Sequence, residues 1–420
     1  MLEYSDLSLK LTKEITKDEK KKQGIYFTPP CTVHVNITHI EPYIKNIHSV
    51  LEPSCGSGEY IVALNNKFQH LNITGIEKNT TIYDSIKEIS SEKINIINED
   101  YLNNNSDLKY DLIIGNPPYF VVEKKTVNKS FYKYFDGRPN IFILFIIKSL
   151  NSLNKNGILS FVLPKNFLNC LYYDKTRQYI NEQFNIINII ECKDDYIETK
   201  QETIIMILQK NNNKKSNKQS NENFTLEINK YLIFGTTHNL TKLKLLYENS
   251  TTLSSLDFEV NVGTVVWNQC KSILTNDDTK TRLIYSSDIV NKELVLKKYK
   301  NEEKKNFIDK PVKPVKPVKP GETETLPWET ATILVINRGY GVGNYNFEYC
   351  LIEETKYLVE NHLICIKYTK EINNTELIKK YNKIMSSLSN ERTKTFIELY
   401  FGNNAINTTE LNYILPIYDI

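Results

Sequence analysis

Four residues carry the strongest chemical signal in the chain. Asn116-Pro117-Pro118-Tyr119 follows three aliphatic residues, Leu112-Ile113-Ile114, and a glycine. Proline holds φ near about −65° and has no N–H, so the two prolines stiffen the turn and remove two donors. Acceptors remain: the Asn116 side-chain oxygen and the Pro117 carbonyl. An aromatic ring, Tyr119, stands beside them. Two acceptors next to an aromatic plate suit a flat ligand that carries an exocyclic amino group. Upstream, three acidic residues each close an apolar run: Glu52 after Val50-Leu51, Glu77 after Ile73-Thr74-Gly75-Ile76, and Asp100 shortly after Ile94-Asn95-Ile96-Ile97. Glu52 opens a glycine-bearing turn, Glu52-Pro53-Ser54-Cys55-Gly56-Ser57-Gly58. The turn lacks the GxGxxG spacing of a dinucleotide site, and an acid at its start suits an amino group better than a pyrophosphate. Glu77 is placed to take two ribose hydroxyls, as an acid at the end of the next strand does.

Short strands must present these residues. Aliphatic runs of three to six residues bounded by Gly, Pro and Asn predict buried strands, and in open α/β sheets ligands bind beyond the carboxyl ends of such strands. The fifth strand is Ile158–Pro164; Ile186–Ile190 and Thr203–Leu208 are expected as outer strands of the same sheet. Asn140–Ile147 is apolar nearly all round and predicts a buried helix, closed by Asn156-Gly157. Thr28, before Pro29-Pro30, is placed to begin a helix. Residues 1–23, with Lys17–Lys22 highly charged, read as a solvated helix. Lysines interleave with aromatics over 121–138 (Lys124, Lys129, Lys133 with Phe131, Tyr132, Phe135), which suits phosphate contact and base stacking at the lip of the turn.

The bulk numbers exclude several classes. A length of 420 residues predicts two domains. The 53 basic and 50 acidic residues leave a net charge of only +3, so any nucleic-acid surface must be local. Seven cysteines without a CxxC pair, and six scattered histidines, predict reduced thiols and no metal site. No apolar run approaches the ~18 residues of a membrane span, and the start lacks signal-peptide character, so an intracellular, soluble protein without a membrane partner is expected. Residues 210–224 are almost wholly polar and predict a linker that buries nothing. Beyond it lie short apolar runs, turns at Asn261–Trp267 and Ile336–Gly343, a threefold Pro-Val-Lys repeat at 311–320, and a loop at Gly402–Thr409.

These motifs, in this order, resemble the γ-class (Taq-type) N6-adenine DNA methyltransferases of type II restriction–modification systems. The match rests on Tyr26-Phe27-Thr28-Pro29-Pro30, Glu52–Gly58, Glu77, Asp100-Tyr101 and Asn116–Tyr119, and covers roughly the first half of the chain. The resemblance implies a Rossmann-like α/β domain with a mixed, mainly parallel sheet at 1–210. A polar linker at 211–224 and an α+β target-recognition domain at 225–420, with a low-complexity insertion at 301–325, would follow. It implies S-adenosyl-L-methionine as cofactor, with Thr28, Glu52, Ser54 and Gly56 around its methionine end and Glu77 on its ribose. Asp100, Tyr101 and Phe145 would lie at its adenine, although Tyr101 serves equally as core and core packing is the stronger reading for Phe145. Asn116 and Pro117 would accept from the target amino group, with Tyr119 and Tyr196 on the two faces of a flipped base. Double-stranded DNA and a cognate restriction endonuclease are the implied partners of a monomeric enzyme. Three rivals are N4-cytosine methylation, glutamine methylation of a protein, and a catalytically silent DNA-binding protein. The long second half argues against the second, and the intact acidic and Asn-Pro-Pro-Tyr positions argue against the third.

Overall fold

A computed structural model describes residues 3–193, 196–211, 214–309, 331–337, 347–353, 356–400 and 406–418. The chain divides into two compact units, Met1–Leu240 and Thr241–Ile420. No helix among the described residues is long and apolar enough to cross a membrane.

The first unit is built on one seven-stranded sheet. Its strands in chain order are β1 (Ser49–Glu52), β2 (Asn72–Glu77), β3 (Ile94–Asn98), β4 (Tyr110–Gly115), β5 (Leu153–Pro164), β6 (Phe184–Glu191) and β7 (Thr203–Lys210). The spatial order is β3-β2-β1-β4-β5-β7-β6. The first five run parallel, and β7 lies antiparallel between β5 and β6. Side chains alternate between the two faces, and both faces are covered, so the central strands read as unbroken apolar runs. In β4, Ile113 packs into one layer while Leu112 and Ile114 pack into the other. In β7, Ile204, Met206 and Leu208 take the first layer and Ile205 and Ile207 the second.

Helices fill the two layers: α1 (Asp6–Glu14), α2 (Lys17–Gln23), α3 (Pro30–Ile40), α4 (Glu59–Lys67), α5 (Thr80–Ile86), α6 (Ile141–Asn151), α7 (Asp174–Gln183) and α8 (Lys214–Asn221). Eight of the eleven residues of α6 are buried, and each large apolar side chain among them contributes about 1.5–3 kcal/mol. The mainly parallel sheet with covering helices is the expected Rossmann-like architecture.

Four local expectations are corrected. The helix after Thr28 begins at Pro30 with Pro29 as its cap, so Thr28 stands one residue outside and is buried. Asn156-Gly157 does not close α6, which ends at Asn151; Asn156, at φ 64°, turns the chain within β5 instead. Residues 3–23 form two helices, not one, and although their charged side chains are mostly exposed, α1 and α2 bury Ser8, Leu11 and Lys20. The polar 210–224 stretch does bury side chains and is not the boundary between the units. In α8, Asn221 Oδ1 accepts from the Ile186 amide at 2.7 Å, and its Nδ2 donates to the Phe184 carbonyl at 3.0 Å. An amide satisfied at both ends goes inside at little cost. The following hairpin, Thr225–Ile228 with Tyr231–Phe234, stays in the first unit, where Leu232 and Phe234 join the core.

The second unit is α+β. One four-stranded sheet orders Phe258–Val262, Leu363–Tyr368, Ile333–Asn337 and Tyr349–Ile352. Helices Asn374–Leu388 and Glu391–Tyr400 follow. The expected Gly402–Thr409 loop is in part a helix start: Asn407 caps Thr408–Tyr413 in a reciprocal box with Glu410. The Arg338–Gly343 turn, the Pro-Val-Lys repeat and residues 401–405 lie outside the described residues.

Candidate active site

The carboxyl ends of β1, β2 and β4 open on a cleft of about 670 Å³. Ser54, Gly56, Glu77, Asp100, Tyr101 and Phe145 line it together with Asn116. Six of the eight residues expected around a cofactor therefore share one wall with the proposed catalytic amide.

Each is held in place by its own element. Glu77 ends β2, buried, and accepts from the Gly56 amide at 2.9 Å and the Asn79 amide at 2.7 Å, one on each oxygen. Burial raises the Glu77 carboxyl above its usual range, and hydrogen bonds from the backbone amides of Asn79, Gly56 and Lys78 oppose that shift. Asp100 is less free than expected. One oxygen accepts from the Leu102 amide at 3.0 Å, and the other pairs with Lys78 Nζ at 2.9 Å. Tyr101 and Phe145 stand 5.4 Å apart between ring centres. The Tyr101 hydroxyl meets Ser149 Oγ at 3.1 Å, and burial pushes its pKa up to about 12.

Glu52 lies behind the cleft wall at the end of β1, against Gly115, where an added Cβ would sit 3.2 Å from Glu52 Cγ. Its Oε2 is fully buried without a hydrogen-bond partner. Burial, and after it the charges of Glu77 and Glu59, raise its carboxyl well above the usual range. An orphaned buried carboxylate oxygen is expensive, and a cationic donor group would satisfy it. Gly75 in β2 lets the glycine turn and α4 approach: a Cβ there would stand 2.5 Å from Ile61 Cδ1 and 3.1 Å from Cys55 Sγ.

The Asn-Pro-Pro-Tyr turn leaves β4 at Gly115. Ser54 Oγ donates to the Asn116 carbonyl at 3.2 Å, which joins the glycine turn to the catalytic one. The Asn116 Nδ2 donates to the Tyr26 carbonyl at 3.3 Å and reaches the Tyr196 hydroxyl at 3.5 Å. These contacts fix which end of the amide is oxygen. The Tyr119 hydroxyl lies 2.5 Å from Asn116 Oδ1 and 2.8 Å from the Val162 carbonyl. Burial raises both the Tyr119 and Tyr196 hydroxyls above the ordinary tyrosine value. Asn116, Tyr119 and Tyr196 thus meet, from positions up to 80 residues apart. The lysine–aromatic stretch divides its labour. Phe135 is core, while Lys124 sits 4.8 Å over the Tyr132 ring.

Sequence reasoning assigned no role to Gly24, Tyr26 or Asn79. Gly24 adopts φ 69° as the C-cap of α2, and a Cβ there would stand 2.9 Å from the Tyr119 amide nitrogen. The one available signal was a lone glycine after a charged helical stretch.

Residues 5–197 match the Eco57I restriction-modification methylase family. Over its whole length the chain is similar to the modification methylase CviBIII of Paramecium bursaria Chlorella virus NC1A, 25% identical over 420 residues and 99% of both chains. It is 29% identical over 213 residues to the type II methyltransferase M.AccI of Acinetobacter calcoaceticus, covering 48% of this chain and 39% of that one. Among solved structures, the DrdV–DNA complex shares the fold, with a TM-score of 0.54 at 11% identity over 95% of this chain and 57% of that one.

S-adenosyl-L-methionine is the cofactor of this fold family, and the residues present fit it. The orphaned Glu52 oxygen suits an ammonium, the Glu77 carboxylate lining the cleft suits ribose hydroxyls, and Phe145 offers an apolar wall to a base.

Proposed function

We propose that the protein transfers a methyl group from S-adenosyl-L-methionine to N6 of an adenine flipped out of double-stranded DNA, as a γ-class enzyme acting as a monomer. The observation that supports this most is the placement of Asn116 Oδ1. The Asn116 Nδ2 is taken up by the Tyr26 carbonyl and the Tyr196 hydroxyl, which leaves Oδ1 as the acceptor of a residue that lines the cleft.

A duplex hides N6 from a buried methyl donor, so the base must leave the stack at a cost of roughly a few kcal/mol. The cofactor supplies an electrophilic methyl group on a sulfonium. Asn116 Oδ1 and the Pro117 carbonyl accept the two N6 hydrogens, which localises the nitrogen lone pair and aims it. This is catalysis by orientation and preorganised dipoles. The resting Asn116 Oδ1 already holds the Tyr119 hydroxyl, but that hydroxyl has one proton and two acceptors. It can stay on the Val162 carbonyl and leave Oδ1 to the base. Tyr119 and Tyr196 then flank the base. The second unit would read the target sequence, and a restriction endonuclease of matching specificity would be the cellular partner.

The test is nucleoside mass spectrometry of mixed-sequence duplex DNA incubated with the protein and S-adenosyl-L-methionine. N6-methyladenine is expected. N4-methylcytosine would keep the mechanism and change the base, and no modified nucleoside despite cofactor binding would refute a DNA substrate.

A further inference from the structure

Lys20 is the one buried lysine among the described residues, its side chain 5% exposed. An ammonium taken out of water costs several kcal/mol unless its donors are filled. Here all three are: Nζ lies 2.7 Å from each oxygen of Glu198 and 2.6 Å from the Thr12 carbonyl. Glu198 stands two residues beyond Tyr196, in a segment without regular secondary structure where Ile197 is 46% exposed. The other end of α2 belongs to the cofactor cleft. Glu19 and Gln23 both hold Asn79 Nδ2, at 3.0 and 3.2 Å, and the Asn79 amide bonds Glu77. Gly24, which ends α2, packs on the Tyr119 backbone. One short helix and its cap therefore reach the proposed ribose acid through Asn79, and contact the Asn-Pro-Pro-Tyr turn and the segment of the proposed base-flanking tyrosine.

We propose that Lys20 and Glu198 are positioning residues: their ion pair ties the helix that walls the cofactor cleft to the segment that carries Tyr196, so that filling the cleft fixes Tyr196 for the target base. This rests on the methyltransferase reading above. For stability alone a well-packed apolar pair serves as well as a buried ion pair, whereas fixing one arrangement of two segments is the best-attested use of such a pair. These two segments lie 178 residues apart in the chain. The pair thus bridges α2 to a stretch that has no regular secondary structure of its own.

The experiment compares wild type, Lys20→Met, Glu198→Gln and Lys20→Arg. Hydrogen exchange of peptides spanning 196–202 is followed with and without saturating S-adenosylhomocysteine. Wild type is expected to gain protection in that segment when the ligand binds. Lys20→Met and Glu198→Gln should lose the gain, and Lys20→Arg should recover it. Single-turnover methylation at saturating S-adenosyl-L-methionine should fall roughly tenfold to a hundredfold in the first two variants, by more than S-adenosylhomocysteine affinity falls. If Lys20→Met does not fold, Glu198→Gln, at the more exposed end, decides. Ligand-induced protection that persists without the pair overturns the proposal. So does wild-type binding that leaves 196–202 unprotected, although the cofactor reading then stands. Wild type that binds no S-adenosylhomocysteine removes both.

Discussion

Replacing Tyr119 by phenylalanine separates two accounts of the catalytic turn. The hydroxyl is 2.5 Å from Asn116 Oδ1 and 2.8 Å from the Val162 carbonyl. Deleting it removes one buried hydrogen bond, worth about 1 kcal/mol net, and leaves the Val162 carbonyl short of a partner at about 1–3 kcal/mol. Stability should fall by an amount in that range, seen as a drop of a few degrees in the unfolding midpoint. Turnover should move little. If the hydroxyl only occupies Oδ1 until the base arrives, its loss frees the acceptor, a gain of at most one hydrogen bond or about fivefold. Its loss also releases the ring from its anchor on β5, a penalty of similar size. The two nearly cancel, so single-turnover transfer of labelled methyl to unmethylated duplex DNA should stay within about tenfold of wild type. Asn116→Ala removes the aimed acceptor itself and should cost on the order of 10²–10³, the range seen when one preorganised donor is deleted from a catalytic site. S-adenosylhomocysteine affinity should survive both changes. If Tyr119→Phe is as inactive as Asn116→Ala, the hydroxyl takes part in the chemistry and the reasoning fails.

Glu52 makes a pH prediction with a definite sign. Its folded pKa is raised, by burial first and then by Glu77 and Glu59. Between the ordinary carboxylate range and that raised value the folded protein holds a proton that the unfolded chain has lost, so this group's contribution to stability declines as pH rises through the window. A cationic ligand on Glu52 favours the ionised form, so binding in that window should release a proton. Calorimetry in two buffers of different ionisation enthalpy reads this directly, and Glu52→Gln should abolish it while weakening binding; equal proton release in the variant would assign it elsewhere. Gly75→Ala should destabilise the first unit by about 1–3 kcal/mol through overpacking against Ile61, Ile96 and Cys55; an unchanged denaturation midpoint would show that Ile61 simply rotates away. Tyr196→Leu, which keeps most of the buried volume, should lower kcat/KM for DNA by roughly 5- to 100-fold, the value of one base–aromatic stack. Unaltered DNA kinetics would remove Tyr196 from the base site.

The residues proposed to carry chemistry were legible because each sits where an apolar run stops. Leu112-Ile113-Ile114 and Ile73–Ile76 had to be buried strands, and whatever followed them had to face the cleft, so Asn116 and Glu77 could be placed without coordinates. Their partners were not legible, since a partner depends on contacts distant in sequence. Lys20 lies in a stretch whose composition says solvent, and only Glu198, 178 residues on, makes its burial tolerable. Asn221 was misjudged for the same reason: its amide replaces a missing backbone partner at Ile186 and Phe184, which no local pattern announces.

The same distinction explains why the motif's tyrosine was read too simply. Its position beside two acceptors suggested a plate for a base, and nothing in four residues revealed that its hydroxyl would reach back to Asn116. That contact closes the hydrogen-bond set of the Asn116 side chain. Asn116 spends its Nδ2 on Tyr26 and Tyr196 and its Oδ1 on Tyr119, so the amide is held rigid and no buried acceptor is left bare before the base arrives. A site that must exclude water and yet present an acceptor needs such an internal stand-in, and a hydroxyl with a second acceptor at Val162 is suited to the part because it can yield without losing its own bond.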